Sequence, residues 1–147
     1  MSRRRLSTLA LSVVLSLSLC LAAEAAPSEI KGAAILDHAC GKVAVKQMGL
    51  VNAGKMDEAN KLSTKEMQDM WAAMPAKDRT MMTGMMKSMS QTEAQFADDI
   101  KAAGLLVVDG QAATLTVKKK TDDANGSNTS TTTQSFKLEG GQCLISR

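Results

Sequence analysis

Apolar residues recur at helical spacing over residues 33–103 and alternate with polar ones over 105–146, which predicts a helical half followed by a strand half. The first helical stretch carries Ala33, Ala34, Ile35, Leu36, Ala39, Cys40, Val43, Ala44, Met48 and Val51. Asn52-Ala53-Gly54 reads as its stop, with Gly54 suited to a left-handed position after the last turn. A short helix over Met56 to Leu62 follows, presenting Met56, Ala59 and Leu62. Ser63-Thr64-Lys65-Glu66 has the form of a capping box, in which hydroxyl and carboxylate satisfy each other's orphan backbone N–H groups. The helix behind it places Met67, Met70, Trp71 and Met74 on one stripe. Pro75 ends it and suits the first turn of the next helix. There the stripe is repeated by Met82, Met85, Met86 and Met89, with Met81 alongside. Ser90-Gln91-Thr92-Glu93 reads as a second capping box, opening a helix with Phe96, Ile100 and Ala103 inward and Gly104 as its stop.

Leu105 to Val108 is an apolar run closed by the tight-turn pair Asp109-Gly110. Ala113, Leu115 and Val117 alternate with Thr114, Thr116 and Lys118, the period of a half-buried strand. Thr121 to Ser130 reads as a polar hairpin end. Thr131 to Leu138 is strand-like, with Phe136 and Leu138 on one face, and Glu139-Gly140-Gly141 turns the chain into Gln142 to Ser146. The expectation is an α+β domain, with helices packed on one face of a four-stranded antiparallel meander.

Residues 1–25 are expected to lie outside this fold. Arg3, Arg4 and Arg5 precede the apolar stretch Leu6 to Leu21, and Ala23-Glu24-Ala25 offers small residues where a signal peptidase reads, so cleavage is placed after Ala25. Leu19 before Cys20 is bulky for a lipidation site. A single domain over 26–147 remains, with no membrane span after cleavage. The leader holds three Arg and one Glu, so the formal +3 of the whole chain falls to +1 on 26–147. That balance, with no basic stripe and few aromatics, argues against a nucleic-acid partner. It places the protein in the periplasm or outside the cell.

Three segments resemble a known pattern. Leu50-Val51-Asn52-Ala53-Gly54-Lys55-Met56-Asp57-Glu58-Ala59 is similar to a helix–turn of small secreted bacterial domains. These are the lumazine-binding-like members of the cystatin-like, nuclear-transport-factor-two-like superfamily. Val108-Asp109-Gly110-Gln111-Ala112-Ala113-Thr114-Leu115-Thr116-Val117 is similar to their strand signature. Phe136-Lys137-Leu138-Glu139-Gly140-Gly141-Gln142-Cys143 is similar to their closing hairpin, which usually carries Trp where Cys143 stands. The resemblance implies a curved sheet wrapped around helices as a cone, able to hold a small ligand or present a surface. It also implies homodimers as one form of assembly. It implies no reaction, because such folds host binders and enzymes alike.

Candidate chemistry begins with methionine. Eight of the eleven Met fall between Met67 and Met89. Thioethers are soft ligands selecting Cu(I) or Ag(I), so Met81, Met82, Met85, Met86 and Met89 form a candidate copper site. The alternatives are core or interface packing, since Met is an adaptable core filler, and a surface for an apolar ligand or a protein. Cys40 and Cys143 are expected to pair in an oxidising compartment, closing a loop of about a hundred residues. The other reading is thiolate chemistry near His38, although His38 and Cys40 do not share a helix face and no further Cys or His completes a zinc site. His38 is otherwise expected at the surface. Asp98 and Asp99 point apart on a solvated helix face. Asp122-Asp123-Ala124-Asn125-Gly126 hints at a calcium loop but lacks the closing Glu. Lys118-Lys119-Lys120 sits where lysines block edge pairing. No catalytic set emerges. The expectation is a non-enzymatic exported domain that needs no cofactor and binds an unidentified protein or small apolar ligand. The alternative is a periplasmic Cu(I)/Ag(I)-binding protein.

Overall fold

The structure is a computed structural model that describes residues 26–123 and 126–147. The leader assigned to residues 1–25 lies outside them, as does part of the Asp122–Gly126 segment. The chain runs β1 (Ser28–Lys31), a 3-10 helix (Gly32–Asp37), α1 (Ala39–Asn52), α2 (Met56–Asn60), α3 (Lys65–Ala73), α4 (Ala76–Met89), α5 (Glu93–Ala103), then β2 (Gly104–Asp109), β3 (Ala112–Asp123), β4 (Gly126–Glu139) and β5 (Gln142–Ser146). This is an α+β fold with one antiparallel sheet, in spatial order β1-β2-β3-β4-β5.

The sheet has five strands rather than the expected four. The addition is β1, which pairs Ser28 with Val108 and Lys31 with Leu105 at one edge. Four residues with one apolar side chain, Ile30, give an alternation too short to register in the pattern. The β3–β4 hairpin is also longer than expected. β2 stops opposite Val117 and β5 stops opposite Ser135, yet β3 and β4 stay paired out to Asp123 and Gly126. The polar hairpin end is therefore a two-stranded ribbon, whose side chains at 118–121 and 126–133 are exposed.

One face of the sheet supplies Leu106, Ala113, Leu115, Val117, Phe136, Cys143 and Ile145 to the core. Ile35, Cys40, Ala44, Phe96 and Ile100 meet them from the helical layer. Each of these is buried, by the strand alternation that the sequence carries and by the helical spacing of Phe96 and Ile100. Ala103 departs from that expectation and is exposed, because the chain leaves helical geometry at Gly104 to begin β2. Gly54, at φ +75°, takes the left-handed position after α1.

Helix starts differ from the expected capping boxes. Ser63 is buried and forms a bridge with Ile145 on β5. The Ile145 N–H donates to the Leu62 carbonyl at 2.9 Å, and the Thr64 N–H donates to the Ile145 carbonyl at 2.8 Å. With that segment committed to the sheet, α3 starts from Thr64 with no side-chain cap, and Gln68 Nε2 donates to the Ser63 carbonyl at 2.8 Å. The second box exists two residues later than expected. Thr92 Oγ1 accepts from the Gln95 N–H at 3.2 Å, and Gln95 Oε1 accepts from the Thr92 N–H at 3.1 Å. Ser90 instead closes α4, its hydroxyl donating to the Lys87 carbonyl at 2.8 Å. Pro75 stands at the N-cap of α4, one position before its first turn.

Candidate functional site: a methionine-lined groove

The helices α3 and α4 carry the methionine stripe, and neither buries a single residue. The packing reading holds for part of the stripe: Met67 packs against the main core and Met86 against a smaller cluster, whereas Met70 (43% exposed), Met85 (57%), Met81 (69%) and Met89 (79%) lie outside both. Met67, Met74, Met82 and Met86 are half-buried. The reason lies in the layering. The 3-10 helix, α1 and α5 already cover the sheet, so α3 and α4 pack outside a smaller cluster of Val51, Met56 and Ala59.

Between these elements lies a groove of about 370 Å³. Met67, Met70 and Trp71 of α3, with Met74 at its C-cap, form one wall, and Met82 and Met86 of α4 form the other. Met56, Ala59 and Asn60 of α2 also line it, and its polar lining comes from Gln47, the buried Ser63 and Arg147. The i, i+3, i+7 spacing of Met67, Met70 and Met74 puts three thioethers on one helix face, and the i, i+4 spacing of Met82 and Met86 puts two opposite. Trp71 separates this groove from a second cleft of about 330 Å³, which is lined by Asp57, Arg79, Thr80 and Thr83. Its indole Nε1 donates to Asp57 Oδ1 at 2.7 Å, tying α3 to α2.

The five methionines singled out from α4 are thus divided. Met82 and Met86 enter the groove. Met89 joins Met86 on an adjoining hollow of about 220 Å³, beside Met48 and Val51. Met81 and Met85 line none of these hollows. Met67, Met70 and Met74 belong to the groove but stand outside that five-residue set. Their helical spacing was visible, whereas the pairing of α3 with α4 across a cleft has no local sequence signal.

The other candidates lie elsewhere. The sulfurs of Cys40 and Cys143 are at bonding distance, with Cα atoms 5.1 Å apart, inside the main core. His38 is half-buried rather than free at the surface: it is the N-cap of α1, and its Nδ1 accepts from the Cys40 N–H at 3.2 Å. Asp98 and Asp99 turn to different partners, Lys101 at 2.9 Å and Lys119 at 3.2 Å. On β4, Lys137 Nζ meets Glu139 at 2.7 Å, and that hydrogen bond and charge raise its pKa above the ordinary lysine value. Among the described residues no cluster of three or more His, Cys, Asp or Glu is placed to hold a metal, and no helix is long and apolar enough to cross a membrane. Comparison with family models, with curated proteins and with solved structures finds no match for this chain.

Proposed function

We propose that the chain is an exported, non-enzymatic binding domain that takes a small ligand into the groove between α3 and α4. The observation that carries this reading is the methionine stripe: eight Met between residues 67 and 89, none fully buried, five of them facing one concavity with Trp71. Apolar side chains left outside a core mark a surface meant to be covered. A volume of about 370 Å³ falls at the small-molecule end of the range for ligand pockets. The lining offers thioethers, an indole, neutral amides, the Ser63 hydroxyl and the Arg147 guanidinium, groups that hold a ligand by apolar and polar contact. Export is supported by the apposed Cys40 and Cys143, a pairing that persists in oxidising compartments. The helices gathered on one sheet face are also compatible with the cone of the cystatin-like superfamily that the turn and hairpin motifs resemble.

The test is a titration of 26–147 with 1-anilinonaphthalene-8-sulfonate, read by energy transfer from Trp71, the single Trp of the chain. Saturable binding is expected, and Met70→Glu should abolish it while Met81→Glu leaves it intact. Absence of saturable binding, or equal loss in both variants, sinks the proposal.

A further inference from the structure

We infer that the groove holds a soft monovalent cation, Cu(I) or Ag(I), through the thioethers of Met67 and Met70 on α3, of Met74 at its C-cap, and of Met82 and Met86 on α4. This rests on the groove being the ligand site proposed above, and it names the class of ligand. The first support is what residues 65–89 leave out. Their side chains include no Leu, Ile, Val or Phe, and the large apolar residues there are eight Met and one Trp. Elsewhere the same chain builds its interior from Ile35, Ile100, Leu106, Leu115, Val117 and Phe136. Ordering a Met costs more rotamer freedom than ordering a Leu, by about 1 kcal/mol. A wall meant only to be greasy would therefore be built from the residues that the core uses. Met differs from Leu in its flexible unbranched chain and in its sulfur lone pairs, and the lone pairs alone can ligate a metal.

The second support is donor chemistry. No carboxylate side chain, imidazole or thiol lines the groove; its one charged side chain, Arg147, is cationic and donates to no metal, which leaves the thioethers as the ligating groups. Hard cations and Zn(II) require such donors, whereas neutral thioethers suit d10 monovalent ions. The two cysteines of the described residues are at bonding distance from each other in the core, so thioether is the soft sulfur donor presented to solvent. The third support is convergence. Met67, Met70 and Met74 line one side of a single cleft and Met82 and Met86 the other, so five long, flexible thioether side chains open onto one space.

Ag(I) is the direct probe, because it needs no reductant and leaves the Cys pair as it is. Chloride-free 26–147 should quench or shift Trp71 emission on titration with silver nitrate, and should compete with bathocuproine for Cu(I) held reduced by ascorbate. Met67→Leu/Met70→Leu/Met74→Leu should weaken Ag(I) binding by about a hundredfold or more, and Met82→Leu/Met86→Leu by at least about tenfold. Met81→Leu/Met85→Leu should bind as the parent does. The Leu variants keep the apolar lining, so they retain the anilinonaphthalene probe; that retention also shows that the groove is still folded. Ag(I) binding unchanged in the groove variants, or lost equally in the Met81/Met85 variant, overturns the assignment. Loss of metal binding in the parent with the apolar probe retained overturns the metal alone, and loss of both overturns the groove reading as well.

Discussion

Cys40 opens α1 and Cys143 sits on β5, and their sulfurs meet inside the core across a sequence separation of 103. The bridge spans nearly the whole described chain, so it removes about as much freedom from the unfolded ensemble as one crosslink can. A loop of this length corresponds to about 4–5 kcal/mol on the chain-entropy model. Cys40→Ala/Cys143→Ala should therefore lower the urea unfolding free energy by roughly 2–5 kcal/mol. Intact mass after alkylation without reductant should show no labelled thiol on 26–147, and two labels would remove the basis of this expectation.

Two glycines inside helices should respond in opposite directions to the same change. A Cβ on Gly41 would stand 1.9 Å from the Ile35 carbonyl oxygen, where α1 presses on the 3-10 helix, and backbone on both sides leaves nothing free to move. Gly41→Ala should cost about 3 kcal/mol or more. Gly84, in the middle of α4, has nothing within 4 Å of such a Cβ. Gly84→Ala should stabilise α4 by about 1 kcal/mol through helix propensity alone. Chemical denaturation of both variants, followed by circular dichroism, distinguishes them.

The two threonines at helix starts should also separate. Thr92 closes a reciprocal pair with Gln95, so Thr92→Ala should cost about 1 kcal/mol. Thr64 caps α3 only through its backbone, so Thr64→Ala should cost a few tenths at most. A larger loss at Thr64 than at Thr92 in thermal unfolding would contradict this assignment of caps.

Strands β2 to β5 and α5 were legible because each buries an apolar row at its own period, as Leu115 and Phe136 do on the sheet and Phe96 and Ile100 do on α5, whereas the one helical stretch read over 33–53 is a 3-10 helix (Gly32–Asp37) and α1, parted by the extended backbone of His38. The edge strand around Ile30 was not, since a strand paired on one side needs few apolar positions. The ribbon beyond Val117 was hidden for a related reason: its pairs, such as Lys118 with Thr131, are held by backbone ladders and carry no apolar row. Ser63 has the right residue type for a cap, yet the backbones of its neighbours Leu62 and Thr64 are claimed by Ile145, a residue over eighty positions away that local pattern cannot foresee. Methionine periodicity correctly marked a face on α3 and α4. Periodicity reports direction but not depth, and whether a face is covered depends on how many layers the fold has already placed beneath it.

The bridge of Leu62 and Thr64 to Ile145 fixes the start of the methionine helices, and the Asn52 Nδ2 donation to Ser90 Oγ at 3.2 Å marks their end. Between these two anchors no side chain of α3 or α4 is buried. The pair is held down by half-buried side chains such as Met67, Trp71 and Met86 rather than by fully buried ones, so it should open at lower free energy than the disulfide-bearing core. The consequence is a division of labour in stability. Hydrogen exchange should accordingly be faster in α3 and α4 than in α5 or β3, with the sheet staying closed while the groove loosens.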